Sequence, residues 1–274
     1  MKLNHVLVIY KSHMGGEVRG TAATADLKMR HRRHDETLAR VKEALDDLRI
    51  RHKFIDRDEF KGRSKCDLLI TVGGDGTLLA TAHGAGATPI LGVNSMPDHS
   101  VGFFCAATAG DIGKILKNIS EGKTRPANLP LIEASVDSRR LPVLALNDVL
   151  FSGLTPAEMV RYRITLGSRS EEQRSSGVWI SAGPGSTAAI CSAGGKPLPI
   201  ESKRLQYVVR EPCAAGHRRC GLRRGVLKAG ERISITSETG DAMIYIDGPN
   251  VSCPLPAGAR LSVRIAQKSL SLFV

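Results

Sequence analysis

The stretch TVGGDGTLL, Thr71 to Leu79, sets a single carboxylate, Asp75, among three glycines, directly after an apolar run. Glycine leaves the backbone bare, so N–H groups can approach anionic oxygens closely, and a helix opening there adds a favourable dipole. A carboxylate in that place repels phosphate, unless it engages a metal ion or removes a proton. The alternative is local: a tight strand-to-helix turn in which Asp75 caps the helix. Either way the residue falls at the carboxyl end of a strand, where open parallel sheets bind ligands.

Other residue groups carry weaker chemistry. CAAGHRRC places Cys213, His217 and Cys220 together, but the spacing fits no standard zinc pattern and reads as an ordinary loop. The six cysteines include no CxxC pair, which suits a reduced protein better than a disulfide framework. GPGSTA (Gly183 to Ala188) fits a relaxed dinucleotide fingerprint but falls outside any βαβ pattern, and GGKP (Gly194 to Pro197) lacks the hydroxyl residue of a P-loop. The basic clusters RHRRH (Arg30 to His34) and HRRCGLRR (His217 to Arg224) read as solvated surface or as one wall of an anionic site.

The elements that must position these groups fall into two periods. Up to about residue 126, short apolar runs alternate with helical patterns. HVLVIY, HKFID, CDLLITV and PILGVN read as strands, and HDETLARVKEALDDLR, TLLATAHGA and AGDIGKILKNISEG as helices. The first helix presents Leu38, Val41, Leu45 and Leu48 on one face and opens with an acidic turn. This is the pattern of an α/β layer with a parallel sheet. From 127 to 274 the segments are short and alternate with period two, as in MVRYRITL, where Val160, Tyr162, Ile164 and Leu166 face one way. That predicts an antiparallel β-rich domain. IDGPN (Ile246 to Asn250) is a hairpin signal within it, and the junction falls near KTRPANLP.

Composition narrows the partners. With 274 residues and 42% hydrophobic content there is material for two domains with cores. The formal charge of +12 suits a polyanionic ligand, whereas an aromatic share of 4% gives no platform for stacking bases and argues against nucleic acid. No apolar run approaches membrane-spanning length, and the N-terminal residues lack a signal-peptide pattern, so a cytoplasmic location is expected.

GGDGT resembles the signature of the NAD kinase superfamily, which it shares with diacylglycerol and sphingosine kinases. Further stretches in the same order resemble NAD kinases themselves: GVN…VGFF (Gly92 to Phe104), ALNDV (Ala145 to Val149) and SSGVWISAGPGSTAAICSAGG (Ser175 to Gly195). The resemblance implies transfer of the γ-phosphate of ATP, or of a polyphosphate phosphate, to the adenosine ribose 2′-hydroxyl of NAD, with Mg²⁺ bound to the donor. Asp75 would take the hydroxyl proton, and Gly73, Gly74, Gly76 and Thr77 would lie against the nucleotide phosphates. Phe103 would lie against the adenine. Asn147 and Asp148 would hydrogen-bond the nucleotide, and Arg174, Ser176, Thr187, Ala188 and Ser192 would line its pocket. No protein-held metal is implied, and a homodimer or homotetramer is. A lipid or nucleoside kinase, or a nucleotide sensor, is the alternative on the same fold. Two departures stand out: Ser176 replaces the usual aspartate, as in the mitochondrial type, which NSMPDHSVGF also resembles, and Ala189 replaces a usual tyrosine.

Overall fold

The structure, a computed structural model, describes residues 2–12, 21–62, 65–213 and 220–274. The chain divides into two compact units, Met1–Asn128 with Leu270–Val274, and Leu129–Ser269. The sequence reading gave the second unit everything after residue 126; in the structure the last five residues belong to the first unit.

In the first unit, β1 (His5–Tyr10) is followed by α1 (Thr21–Asp47), β2 (Arg51–Asp56), β3 (Leu68–Gly73), α2 (Asp75–Ala85), β4 (Ile90–Asn94), β5 (Cys105–Thr108) and α3 (Ile112–Ser120). The strands pair in parallel in the order β2–β1–β3–β4, and β5 joins β4. Every residue of β3 and β4 is buried, which is why these strands read as unbroken apolar runs rather than alternating ones. Val41 and Leu45 of α1 are fully buried, with Leu38 and Leu48 packed beside them, the face expected from their spacing.

Helix α1 begins at Thr21, well before His34, and its first turn carries no acidic residue. The basic cluster therefore lies inside the helix. There Arg30 pairs with Asp26 and Arg32 with Glu36, both one turn away, while Arg33 reaches Asp98. The two i,i+4 pairs lie on a solvated helix face, where each adds only about 0.2–0.5 kcal/mol to the helix.

The second unit contains β6 (Ala127–Val136), β7 (Arg139–Arg140), β8 (Asp148–Gly153), β9 (Val160–Leu166), β10 (Arg169–Ser175), β11 (Gly177–Ser181), α4 (Ala189–Ser192), β12 (Gln206–Arg210), β13 (Arg224–Val226), β14 (Ile233–Ser237), β15 (Ala242–Ile246), β16 (Ser252–Leu255) and β17 (Arg260–Phe273). Six strands form an antiparallel sheet in the order β13–β12–β11–β8–β15–β16, and β10–β9–β14–β17 pair antiparallel in a second layer. Phe151 from the first layer and Tyr162 from the second meet in the core, ring centroids 5.1 Å apart and near perpendicular. Val160 and Ile164 are buried with Tyr162, and Arg161 and Arg163 are exposed, the alternation expected of MVRYRITL. β15 and β16 form the hairpin signalled by IDGPN.

The end of β17 returns to the parallel sheet, where Leu272 and Phe273 pair with Ile90 and Leu91 of β4. Phe273 is 2% exposed and belongs to the first unit's core. Phe273→Ala is expected to destabilise the protein by about 3–5 kcal/mol, the usual range for a core Phe→Ala change. A urea titration followed by circular dichroism measures this, and a loss under about 1 kcal/mol would show that the returning strand contributes little.

Candidate functional site

Asp75 is the first residue of α2, directly beyond β3, and the helix is capped by the Gly74 backbone with no side-chain cap bond. The local capping role is thus not the one its carboxylate plays. The carboxylate instead accepts the backbone N–H of Phe103 on Oδ2 (3.0 Å) and that of Phe104 on Oδ1 (2.9 Å). Each oxygen retains a second lone pair for another partner. The segment carrying these donors is tied to the motif elsewhere: Ser95 N–H donates to the Gly73 carbonyl (3.2 Å), and Asn94 Nδ2 donates to the Ser100 carbonyl (3.1 Å). Asp75 also acts on its surroundings. Burial and then the Asp75 charge push the Cys105 thiol up to about 12.

The three glycines of the motif have different reasons to be glycine. A Cβ on Gly73 would lie 2.6 Å from Thr77 Oγ1, and one on Gly74 would lie 2.8 Å from Ser100 Oγ. Gly73 has φ +151° and closes on Thr77, which excludes a side chain there, whereas the neighbour of Gly74 is the end of the Ser100 side chain, which can turn aside. Gly76 is exposed, lies in the helix with nothing within 4 Å of a Cβ, and has no left-handed backbone angle. Glycine within a helix costs about 1 kcal/mol relative to alanine. The fold gains nothing from it here, whereas a ligand approaching the helix N-terminus would need the bare backbone. Thr77 is buried with its hydroxyl toward the Gly73 position, so its side chain serves the turn itself. Phe103 is 41% exposed and stacks edge-on against buried Phe104, which makes Phe104 the core residue and leaves Phe103 available.

In the second unit, Asn147 and Asp148 stand at the start of β8. They are organised by a residue that sequence reasoning treated only as turn chemistry, Asp247. Its carboxylate accepts three successive backbone N–H groups, from Leu146 (2.9 Å), Asn147 (2.7 Å) and Asp148 (3.1 Å). Asp247 lies at φ +50° in the β15–β16 turn, and its own N–H donates to the Asp148 carbonyl. The glycine-rich segment closes on the same point. Ser181 Oγ donates to the Asn147 carbonyl (2.8 Å), and a Cβ on Gly185 would fall 1.8 Å from that oxygen. Thr187 and Ser192 are exposed beyond this contact, and Ala188 is half-buried. Gly185 is thus a packing glycine, and GPGSTA is a turn built onto Asn147 rather than a dinucleotide fingerprint.

Asp148 is buried and accepts a hydrogen bond from Asn147 Nδ2 (3.2 Å). Burial, and then the nearby Asp247 charge, push its carboxyl up to about 7. It lines a cavity of about 370 Å³ together with Ser176, Trp179, Arg210, Tyr245 and Pro249. Arg210 holds its guanidinium 5.9 Å from the Trp179 ring centroid, in cation–π contact. Asp148 and Ser176 therefore share a cavity, whereas Arg174 lines a different one with Arg161, Cys213 and Cys220. Trp179, Arg210 and Tyr245 carry no sequence signal of their own; only strand register places them there. His217 of the metal candidate lies outside the described residues. Among the described residues no group of three or more His, Cys, Asp or Glu side chains is placed to hold a metal ion.

Comparison with known proteins adds an independent line. Residues 4–124 match the family model described as the ATP-NAD kinase N-terminal domain. The chain is 34% identical over 257 residues to a probable NADH kinase of Oryza sativa subsp. japonica, covering 85% of this chain and 79% of that one. It is 33% identical over 223 residues to an NAD kinase of Aquifex aeolicus, covering 78% and 79%. Among solved structures, an Archaeoglobus fulgidus NAD kinase in complex with ATP superposes with a TM-score of 0.74 at 21% identity, over 98% of this chain and 93% of that one. A yeast NADH kinase complexed with NADH gives 0.76 at 16% identity, over 98% and 83%. These two likenesses establish the fold.

Two stability measurements test the site geometry. Gly76→Ala is expected to leave the fold intact and raise stability by up to about 1 kcal/mol, since alanine is the better helix former. Destabilisation by calorimetry would mean the fold itself needs that glycine. For Asp148, the unfolded chain loses the proton near its ordinary value of 3.8, while the folded chain keeps it to about 7. The folded state therefore binds the extra proton in that window, and stability falls as pH rises from about 4 to 7. In urea titrations Asp148→Asn is expected to be more stable than the parent at pH 8, by up to about 4 kcal/mol, but not at pH 4. A gain equal at both pH values would contradict the assignment.

Proposed function

This chain belongs to the NAD kinase family, and on that premise we propose that it phosphorylates the 2′-hydroxyl of the adenosine ribose of NAD(H), with ATP or polyphosphate as donor, giving NADP(H). The observation that carries the reading is Asp75: a carboxylate oriented by two backbone donors, at the first turn of a helix, beside a glycine with open space over it.

In the proposed step Asp75 takes the 2′-hydroxyl proton as the ribose oxygen attacks the γ-phosphorus. The bond from that phosphorus to the bridging oxygen breaks, and ADP leaves with the electron pair. The fixed direction of the carboxylate supplies positioning, which is most of what phosphoryl transfer asks of a protein. The exposed backbone of Gly76 gives the phosphates room, and Mg²⁺ enters with ATP as part of the substrate, neutralising charge on the phosphates. Phe103, exposed beside the motif, offers a face to the adenine. Asn147 offers an amide to the nucleotide, and Asp148, whose carboxyl is pushed up to about 7, can donate as well as accept in its protonated form. Thr187, Ala188 and Ser192 complete that wall. Ser176 in place of a carboxylate removes a negative charge from the cavity it shares with Asp148, which supports a weaker demand for a cationic ring in the substrate. We further propose a cytoplasmic homodimer or homotetramer; among the described residues no helix is long and apolar enough to cross a membrane.

The deciding assay is NADP(H) formation by the purified protein from NAD⁺ or NADH with ATP or polyphosphate and Mg²⁺. Asp75→Asn is expected to fold and to lose about 10²–10⁴-fold in kcat, the usual contribution of a general base. Turnover within a few-fold of the parent would remove Asp75 from that role, and an inactive parent with every donor and acceptor would overturn the reading.

A further inference from the structure

The proposed reaction leaves Cys213 and Cys220 unused. Both are half-buried free thiols, and both line one cavity of about 500 Å³ in the second unit, with Arg161, Arg174, Glu172 and Glu238. Cys220 Sγ lies 3.7 Å from the Cys213 carbonyl oxygen, and the Cys213 N–H donates to the Arg174 carbonyl (2.9 Å).

The charge pattern around them is unusual. The register of β9 and β10 sets Arg163 opposite Glu172, and these two form an ion pair. One step along the same face it sets Arg161 opposite Arg174. Like charges directly opposed on neighbouring strands are unfavourable. Glu172 is engaged by Arg163, so Glu238 is the remaining carboxylate on a wall that carries two guanidiniums. Both thiols are partly exposed and share their cavity with these guanidiniums, so an anionic reagent drawn to the arginines meets the sulfurs there. The other cysteines lie outside this cavity. Burial pushes the thiols of Cys66, Cys105 and Cys253 up. Cys191 lies on α4, away from this cavity wall.

We propose that Cys213 and Cys220 are a reversible redox pair that exchanges with small anionic disulfides of the glutathione class, which Arg161 and Arg174 draw into the cavity. One protein thiolate attacks a reagent sulfur, the reagent S–S bond breaks, and one reagent thiol leaves. The second protein thiolate then attacks the mixed disulfide, forming the Cys213–Cys220 bond and releasing the second reagent thiol. Two protein thiols are oxidised, one reagent disulfide is reduced, and the two protein protons end on the released thiols.

The test uses the full, reduced chain incubated with oxidised glutathione, quenched by alkylation and mapped by mass spectrometry. Its readout does not depend on kinase activity. A Cys213–Cys220 cross-linked peptide is expected to form first, roughly tenfold faster than any modification of Cys66, Cys105 or Cys253, and to be reversed by dithiothreitol. Cys220→Ser is expected to stop at a glutathione adduct on Cys213, and Cys213→Ser at one on Cys220. Arg161→Gln is expected to slow the reaction several-fold with glutathione disulfide but not with neutral 2-hydroxyethyl disulfide. Oxidation spread evenly over the six cysteines, or adducts without a cross-link in the parent chain, would overturn the pair. An Arg161→Gln effect equal for both reagents, or none, would overturn the anion recognition.

Discussion

A carboxylate held by backbone N–H groups is the constraint on which both halves of this molecule turn. A side-chain cation could hold an acid in place, but it would also neutralise it and swing on a flexible stem. Backbone donors fix the direction of the oxygens without adding a mobile charge, and they are themselves fixed by the sheet. Asp75 is held this way by Phe103 and Phe104, and Asp247 by Leu146, Asn147 and Asp148. In the first case the anchored carboxylate is the group proposed to take the proton. In the second it is the frame on which two other side chains are hung. The same physical device orients a carboxylate at a helix start in one unit and builds a scaffold in the other.

The second use has an electrostatic consequence. Anchoring Asp247 beneath the Asn147–Asp148 peptide brings two acids together in a place that burial has already made poor for charge. The strain falls on Asp148, which keeps its proton to about pH 7. A carboxyl that stays neutral can donate a hydrogen bond, a capacity its ionised form lacks. Recognition of a sugar or amide group therefore gains a donor where the sequence shows only an acid. The cavity that Asp148 shares with Trp179 and Tyr245 supplies flat surface for a ring, and Arg210 is already engaged with the Trp179 face.

Much of this was legible in the sequence. The unbroken apolar runs of β1, β3 and β4 announced strands covered on both faces, and the period-two segments after residue 126 announced an antiparallel unit. The GGDGT stretch announced a tight passage from strand to helix, which is where β3 ends and α2 begins. What escaped notice has identifiable causes. β10, RSEEQRS, has no apolar alternation because its pairing partner β9 is satisfied through backbone bonds and cross-strand polar pairs, so hydrophobic period carries no signal. Within α1, Arg30 and Arg32 of the basic cluster face solvent and carry i,i+4 ion pairs, so the cluster gives no apolar period to read. Asp247 looked like turn chemistry, and it is, but the turn delivers the carboxylate to residues about a hundred positions away, which no local pattern encodes.

The glycines show why motif spelling alone is an unreliable guide to a site. Gly73, at φ +151° against Thr77, and Gly185, whose Cβ would fall 1.8 Å from a backbone oxygen, are required by the fold whether or not a ligand ever binds. Gly76 meets nothing, has an ordinary backbone, and weakens the helix it opens. A residue that the fold disfavours and does not need must be explained by something outside the fold. Of the three glycines around Asp75, this one has the least to do with packing. On the proposed function, it leaves the exposed backbone of the first turn of α2 open to the nucleotide beside the anchored carboxylate.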